Sequence, residues 1–422
     1  MATLAPSLIR SWSPLRYSVF RALWIASIAS NLGTWMQNVG ATWLMTSLNP
    51  SPTMVSMIQA ANFLPVCLLA LPAGALADRV DRRRLLLFTQ MWMLMAAACL
   101  GFLAFSGSLS SWLLLTLTFI LGAGAALNGP AWQAIILEII PTEELAEGIA
   151  LGSASFNFAR AVGPALGGFV VAAVGPGANF YLNAISFLGV IFVLYRWKRE
   201  PIPSRQPPEK WGEAMMTGIR FVRESPDLYG LLLSSFIFAI PSSALWALLP
   251  IITHDQLKMG ASTYGALLGC LGIGALLGTV LLPSLREFSH SLDHLVGMMT
   301  GLFAIATFAT AWVHSLFFLG LALILGGIGW LVLLSTLSTL IQLLIPEWVR
   351  ARSLSIYILI FFVGMTVGSL LWGVIATLTH PSLALNLAGI CLIASLAFQR
   401  GLETQSIIHT EVLQSSPNSQ PS

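Results

Sequence analysis

Six charged side chains stand within seven residues at Asp78-Arg79-Val80-Asp81-Arg82-Arg83-Arg84, in a chain of which only 9% is charged. Four guanidinium groups beside two carboxylates can pair with one another, with other loops or with lipid headgroups. They suit ion pairing rather than proton transfer, because arginine keeps its proton. A second charge stands alone. Arg160 lies within Asn157-Phe-Ala-Arg160-Ala-Val-Gly163-Pro164-Ala-Leu-Gly167-Gly168, deep in an apolar run. An arginine at that depth must face a bundle interior or a wet cavity. There it binds something anionic, or it hydrogen-bonds carbonyls or Asn157, and both readings stand.

Other chemistries find no support. The chain shows no Ser/His/Asp set or carboxylate pair at catalytic spacing in its loops, which disfavours an enzyme. It has no G-x-x-x-x-G-K-[ST] loop for ATP. Cys67, Cys99, Cys270 and Cys391 fall singly in apolar runs and read as small core residues; none of the six histidines pairs with another at a ligand spacing inside a span, so no metal site is expected.

What must position these residues is a membrane bundle. Of 422 residues 56% are hydrophobic and the mean hydropathy is +0.83, above the roughly 45 to 50% of a soluble domain. Spans are expected near 20–46, 53–78, 85–106, 111–136, 149–174 and 178–196, then 228–253, 262–284, 293–312, 315–343, 352–378 and 382–399. Arg10, Arg16 and Arg21 precede the first span, and among Lys and Arg only Lys258 falls in an outward loop. This asymmetry puts both termini in the cytoplasm. The fold class is an all-α polytopic membrane protein of twelve transmembrane helices in two six-helix halves.

Residues 1–19 form a cytoplasmic segment, 20–196 the first half, 197–227 a proline-rich linker, 228–399 the second half, and 400–422 a polar disordered tail. In the linker Trp211, Met215, Ile219 and Val222 recur at helical spacing, which predicts an amphipathic helix on the cytoplasmic surface. A shift of 205 residues carries Ile140-Pro141 onto Ile345-Pro346, Gly163 onto Gly368 and Gly168 onto Gly373. Such a parallel duplication relates the two halves by an axis along the membrane normal.

Polar positions follow helical spacing: Asn31, Thr34 and Asn38; Ser235, Ser242 and Trp246; Ser335, Ser338, Thr339 and Gln342; Asn128 and Trp132; Gln59 and Asn62. Singly each suits interhelical hydrogen bonding. Together they outline a large, mostly uncharged, aromatic-containing cavity suited to a bulky amphipathic compound. Near the cytoplasmic face Asp78 ends a span close to Arg350 and Arg352, and Glu138 ends another within reach of Arg79 or an adjacent arginine. Ion pairs there would hold the cytoplasmic side closed. The acids nearest to a proton-coupling role, Asp78, Glu138 and Asp255, lie near span ends.

The run Gly74-Ala-Leu76-Ala77-Asp78-Arg79-Val-Asp81-Arg82-Arg83 resembles the signature of the major facilitator superfamily between its second and third helices, with Asp81 where a glycine is usual. Gly163-Pro164-Ala-Leu-Gly167-Gly168 resembles the superfamily's antiporter motif. Asn31 to Gln37, Leu64 to Arg84, Gly129 to Ala134, and Arg350-Ala-Arg352 with Gly364 to Gly373 are similar to a branch that includes enterobactin-type siderophore exporters and macrolide efflux proteins. The resemblance implies a pseudo-two-fold fold and a cavity lined by spans 1, 4, 7 and 10. It further implies export by alternating access, driven by an ion gradient, protons, without other cofactor. The implied setting is a bacterial inner membrane, with a small-molecule substrate and the lipid bilayer as partners, no nucleic acid, and a monomer. An importer or lipid-type flippase is the alternative.

Overall fold

The computed structural model describes residues 12–198, 211–289, 291–346 and 349–399. No strand occurs among them. In hydrocarbon every backbone N–H and C=O must be satisfied within its own segment, so apolar runs of this length fold as helices. They are α1 (Ser18–Leu48), α2 (Pro52–Arg79), α3 (Arg82–Phe105), α4 (Ser111–Ile139), α5 (Leu145–Val174) and α6 (Pro176–Arg196); then the linker helix α7 (Trp211–Glu224); then α8 (Pro226–Ile251), α9 (Ala261–Phe288), α10 (Leu292–Trp312), α11 (Leu316–Leu344), α12 (Arg350–Leu378) and α13 (Pro381–Gln399).

Breaks between helices have local causes. Pro52, Pro176 and Pro226 open α2, α6 and α8, where a missing N–H costs nothing. Gly175, at φ 98°, makes the turn from α5 to α6, a conformation that only glycine adopts cheaply. Ser110 and Ser291 cap α4 and α10 by accepting from Leu113 N and His294 N. Among the described residues ten helices are long and apolar enough to cross a membrane by composition. The 31-residue α1 is long enough but diluted by Asn31, Thr34, Gln37, Asn38 and Thr42, and α13 is short at 19 residues.

The internal repeat is geometric as well as sequential. Helix α1 packs on α5 and α6 as α8 packs on α12 and α13; α2 meets α4 as α9 meets α11. A Cβ at Gly163 would strike Trp35 of α1, and one at Gly368 would strike Ile240 and Ser243 of α8. A Cβ at Gly168 would meet Ala261 and Gly265 of α9, and one at Gly373 would meet Ser56 of α2. The two paired glycines therefore do the same jobs: one closes its own six-helix set, and the other closes the seam between sets.

One sequence expectation needs correcting and another is extended. Cys99 and Cys391 are exposed on the bundle surface while Cys67 and Cys270 are half-buried, so a thiol here serves equally as a lipid-facing apolar group. Helix α7 also does more than lie on a surface: Val222 is buried in the core of the second set, and Gly218 closes on Arg352 and Ile356 of α12. Ile219 stays exposed, and the side chains of Trp211 and Met215 lie outside the described residues. The end of the bundle bearing α7 is the linker face, and its opposite the far face.

Candidate functional site: the seam between the two helix sets

The two sets meet chiefly through α5 against α9 and α2 against α12. Close contacts begin at the far face. Thr53 N donates to Thr377 Oγ1 at 3.0 Å, and Thr53 Oγ1 to the Gly373 carbonyl at 3.2 Å. Trp43 of α1 stacks on Tyr264 at 6.1 Å between centroids and meets His254 edge-on at 5.8 Å. His254 lies in a π-helical turn, Ile252–Gln256, that extends α8, and its Nδ1 is 2.6 Å from Asp255 Oδ1. The contacts then run inward through Gly168/Gly265 to mid-depth, where Gly272 abuts Ala161 and the Arg160 carbonyl, Phe63 meets Phe362 at 5.3 Å, and Cys67 lies 3.8 Å from Thr366 Oγ1.

Helix α5 is the hub of this seam. One row, Gly163 and Gly167, packs on α1, and a second row, Ala161, Pro164 and Gly168, packs on α9. Phe158, Leu166 and Phe169 are exposed on the opposite side. At 100° per residue Arg160 falls between the two packed rows, on the interior sector. Its Nε and Nη2 are buried with no hydrogen-bond partner. Asn157 does not serve them: its Nδ2 donates to Ser153 O at 3.0 Å in its own helix, and its Oδ1 accepts from neither buried nitrogen. Toward the linker face the same sector opens: Asn157 is half-buried and Ser153 exposed.

The charged loop at the linker face ties helices of the first set together. Asp81 caps α3, accepting from Arg84 N at 2.8 Å. Arg82 Nη1 pairs with Glu138 Oε1 of α4 at 2.9 Å, the Glu138 side chain being only 3% exposed. Arg83 reaches across to α6, donating from Nε to Leu194 O at 2.7 Å and from Nη2 to Tyr195 O at 2.8 Å; a cation at a helix carboxyl end is favoured by the macrodipole. The residue that accepts the pair with Glu138 is thus Arg82, and the pair joins two helices of one set rather than the two sets. Arg79 and Arg352 both interact with neighbours, Gly74 has open space where a Cβ would be, and the side chains of Asp78 and Arg350 lie outside the described residues. Replacing Asp81 by Ala should lower stability by about 1 kcal/mol, the usual worth of such a cap, measurable as a lower melting temperature of the purified chain.

The polar positions divide. Asn31 Nδ2 lies 3.4 Å from Ser155 Oγ, and Asn62 donates to Ile58 O at 3.1 Å. Asn128 turns toward α3 and accepts from Thr89 at 3.0 Å and Gln90 at 3.3 Å. Trp132 lines an apolar cleft with Trp24, Ile135 and Gly152. Trp246 meets Trp330 edge-on at 5.7 Å inside an aromatic cluster with Phe238, Phe303 and Phe361, its indole N–H buried without a partner. Ser235 and Ser242 are wholly buried. Gln59 and Asn38 are half-buried; Thr34 is exposed, as is Gln342, which donates to half-buried Ser338 at 3.1 Å.

Sequence reasoning missed a buried polar pin that holds α1, α5 and α6 together. Asn179 Nδ2 donates to Met36 O at 2.7 Å and Gly167 O at 3.1 Å, and Asn183 Nδ2 to Gln37 Oε1 at 2.6 Å. The available signal was two asparagines one turn apart in an otherwise apolar span.

Comparison with known proteins accords with this geometry. Residues 9–420 match the family model described as transmembrane secretion effector. The staphyloferrin A transporter of Staphylococcus aureus is 24% identical over 61% of this chain, a match spanning 65% of that protein's own length. The enterobactin exporter EntS of Salmonella typhimurium is 25% identical over 89% of this chain and 90% of its own, and macrolide efflux protein A of Streptococcus pyogenes is 22% identical over 67% and 66%. Among solved structures, a bacterial homolog of the human lysosomal transporter Spinster, inward-facing and unoccupied, superposes with a TM-score of 0.70 at 15% identity, covering 96% of this chain and 99% of its own. These relatives are transporters and not enzymes. The chain belongs to the transmembrane secretion effector family of the major facilitator superfamily.

Proposed function

We propose that this protein is a secondary-active, proton-coupled exporter of a medium-sized organic compound, such as a siderophore or an amphipathic drug, in a bacterial inner membrane with both termini cytoplasmic. Residues 20–196 and 228–399 act as two bodies that rock about a site at mid-membrane. The observation that carries this reading is the asymmetry of the seam. Contacts between the two helix sets concentrate from the far face to the level of Arg160, whereas the interior sector of α5 is uncovered toward the linker face. That is the arrangement of a carrier loaded from the linker side, and positive charge on that side makes it the cytoplasm. The far-face contacts of Trp43, Thr53, Gly168 and Gly373 form the outer gate, and Asp78 and Arg79 with Arg352 form the inner one, the Arg82–Glu138 pair bracing α3 on α4 behind it. Asn31, Thr34, Asn38, Gln59, Asn62 and Gln342 line the path, as far as their own helix bonds leave them free. The names of the relatives, two siderophore transporters and a macrolide efflux protein, support the size class of cargo.

Inside-out vesicles carrying the chain should accumulate a siderophore or macrolide when their lumen is acidified, and a protonophore should abolish the accumulation. Accumulation of the same compounds only in right-side-out vesicles would make the chain an importer and overturn the reading.

A further inference from the structure

Arg160 lies midway along the 30-residue α5, with Nε and Nη2 buried and unpartnered. These two nitrogens form one edge of the guanidinium fork, the edge that accepts a carboxylate through two parallel hydrogen bonds. Among the described residues none supplies such a carboxylate at that depth. Each described Asp and Glu falls outside the helices or within a first or last turn; the nearest along α5 is Glu147, roughly 20 Å away at 1.5 Å per residue. Arginine cannot relieve its burial by losing a proton. Asn157, one turn away, donates its Nδ2 to Ser153 O, and its Oδ1 accepts from neither buried nitrogen of Arg160. The counter-charge therefore comes from outside the chain, and the uncovered sector from Ser153 to Asn157 leads to it from the linker face.

We infer that Arg160 is the docking point for a carboxylate of the transported compound, so that the cargo is an organic anion. This rests on the export reading and narrows it. An unpaired cation in an apolar bundle weakens the empty site, and the anionic cargo relieves that cost on binding, which selects it against a neutral or cationic compound of equal size.

The test uses the full-length chain in nanodiscs and a matched pair of probes, 1-naphthoate and 1-naphthylmethylammonium, at constant ionic strength. Saturable quenching of tryptophan fluorescence is expected with naphthoate and not with the amine. R160Q should weaken naphthoate binding at least tenfold, and R160K, which keeps the charge but loses the fork, should fall between. Both variants are first shown to be monodisperse, with melting temperatures no lower than that of the unaltered chain. Naphthoate binding that R160Q leaves unchanged, equal binding of the amine, absence of saturable binding by either probe, or saturable binding of chloride that excludes naphthoate would each overturn the inference. Export in vesicles separates the two ideas. Transport of a cationic compound untouched by R160Q leaves the exporter and removes the anion site, whereas Arg160-dependent naphthoate binding without any vectorial transport leaves the site and removes the exporter.

Discussion

Gly168→Leu is expected to abolish export, by more than tenfold, while leaving the chain folded, whereas Gly167→Leu one residue earlier should prevent folding. The two glycines face different partners. A Cβ at 168 would lie 2.5 Å from the Ala261 carbonyl and 2.9 Å from the Gly265 Cα, all across the seam on α9. A Cβ at 167 would lie 2.7 Å from the Met36 Cα and 3.1 Å from the Met36 carbonyl, on α1 of the same helix set. Backbone atoms cannot rotate away, so in both variants the helices must separate. At 168 that separation is the movement proposed to open the outer gate, and overpacking of about 1 to 3 kcal/mol is then relieved by occupying the outward-open state; a shift of 3 kcal/mol is about 150-fold in population. At 167 no functional state parts α1 from α5, and separation would also break the Asn179 bonds to Met36 and Gly167. The measurement is labelling of a cysteine placed at Thr53 by a membrane-impermeant thiol reagent, with the four native cysteines replaced. Gly168→Leu should raise labelling from outside, and Gly167→Leu should yield no monodisperse protein. Equal behaviour of the two variants would contradict the assignment of the α5–α9 seam to the outer gate.

Glu138→Ala should destabilise the chain by about 2 to 4 kcal/mol, nearer the lower end because Arg82 keeps some solvent. The Glu138 side chain is 3% exposed and Arg82 28%; removing one partner of such a pair strands the other charge away from full hydration. Glu138→Ala with Arg82→Ala should recover most of the loss, a coupling that thermal melting of the four proteins in the double-mutant cycle measures. Additive losses would show that the pair contributes nothing at this depth. Because both residues belong to the first helix set, neither variant should change Thr53→Cys labelling in the fraction that folds.

The helices were legible because hydrophobic runs, prolines and the Gly175 turn bound each one. Arg160 and the glycines of α5 stood out for the same reason: a charge or a cluster of small residues is conspicuous where nearly everything else is large and apolar. What the sequence could not give is the partner. Gly167 and Gly168 look alike as letters, yet one closes a helix set and the other a seam between sets, and only the rotation of α5 about its axis separates them. Asn128 has the spacing of a cavity residue but spends its carbonyl on Thr89 and Gln90. Asp81 reads as a departure from a glycine position and acts as a helix cap, because a short carboxylate and a glycine both suit an N-cap for different reasons. Asn179 and Asn183 escaped notice because a pin between neighbouring helices has no periodic signature. Cys99 and Cys391 were misplaced because a membrane bundle is apolar outside as well as inside.

Mass spectrometry of spent medium and cell extract, from iron-limited cells with and without this chain, addresses the exporter reading itself. Loss of the chain should make an iron-binding or amphipathic metabolite accumulate inside and vanish from the medium, and restoring the chain, but not its Gly168→Leu variant, should reverse both changes. Matching profiles for such metabolites in the two strains, or a metabolite that the chain draws inward, would contradict it.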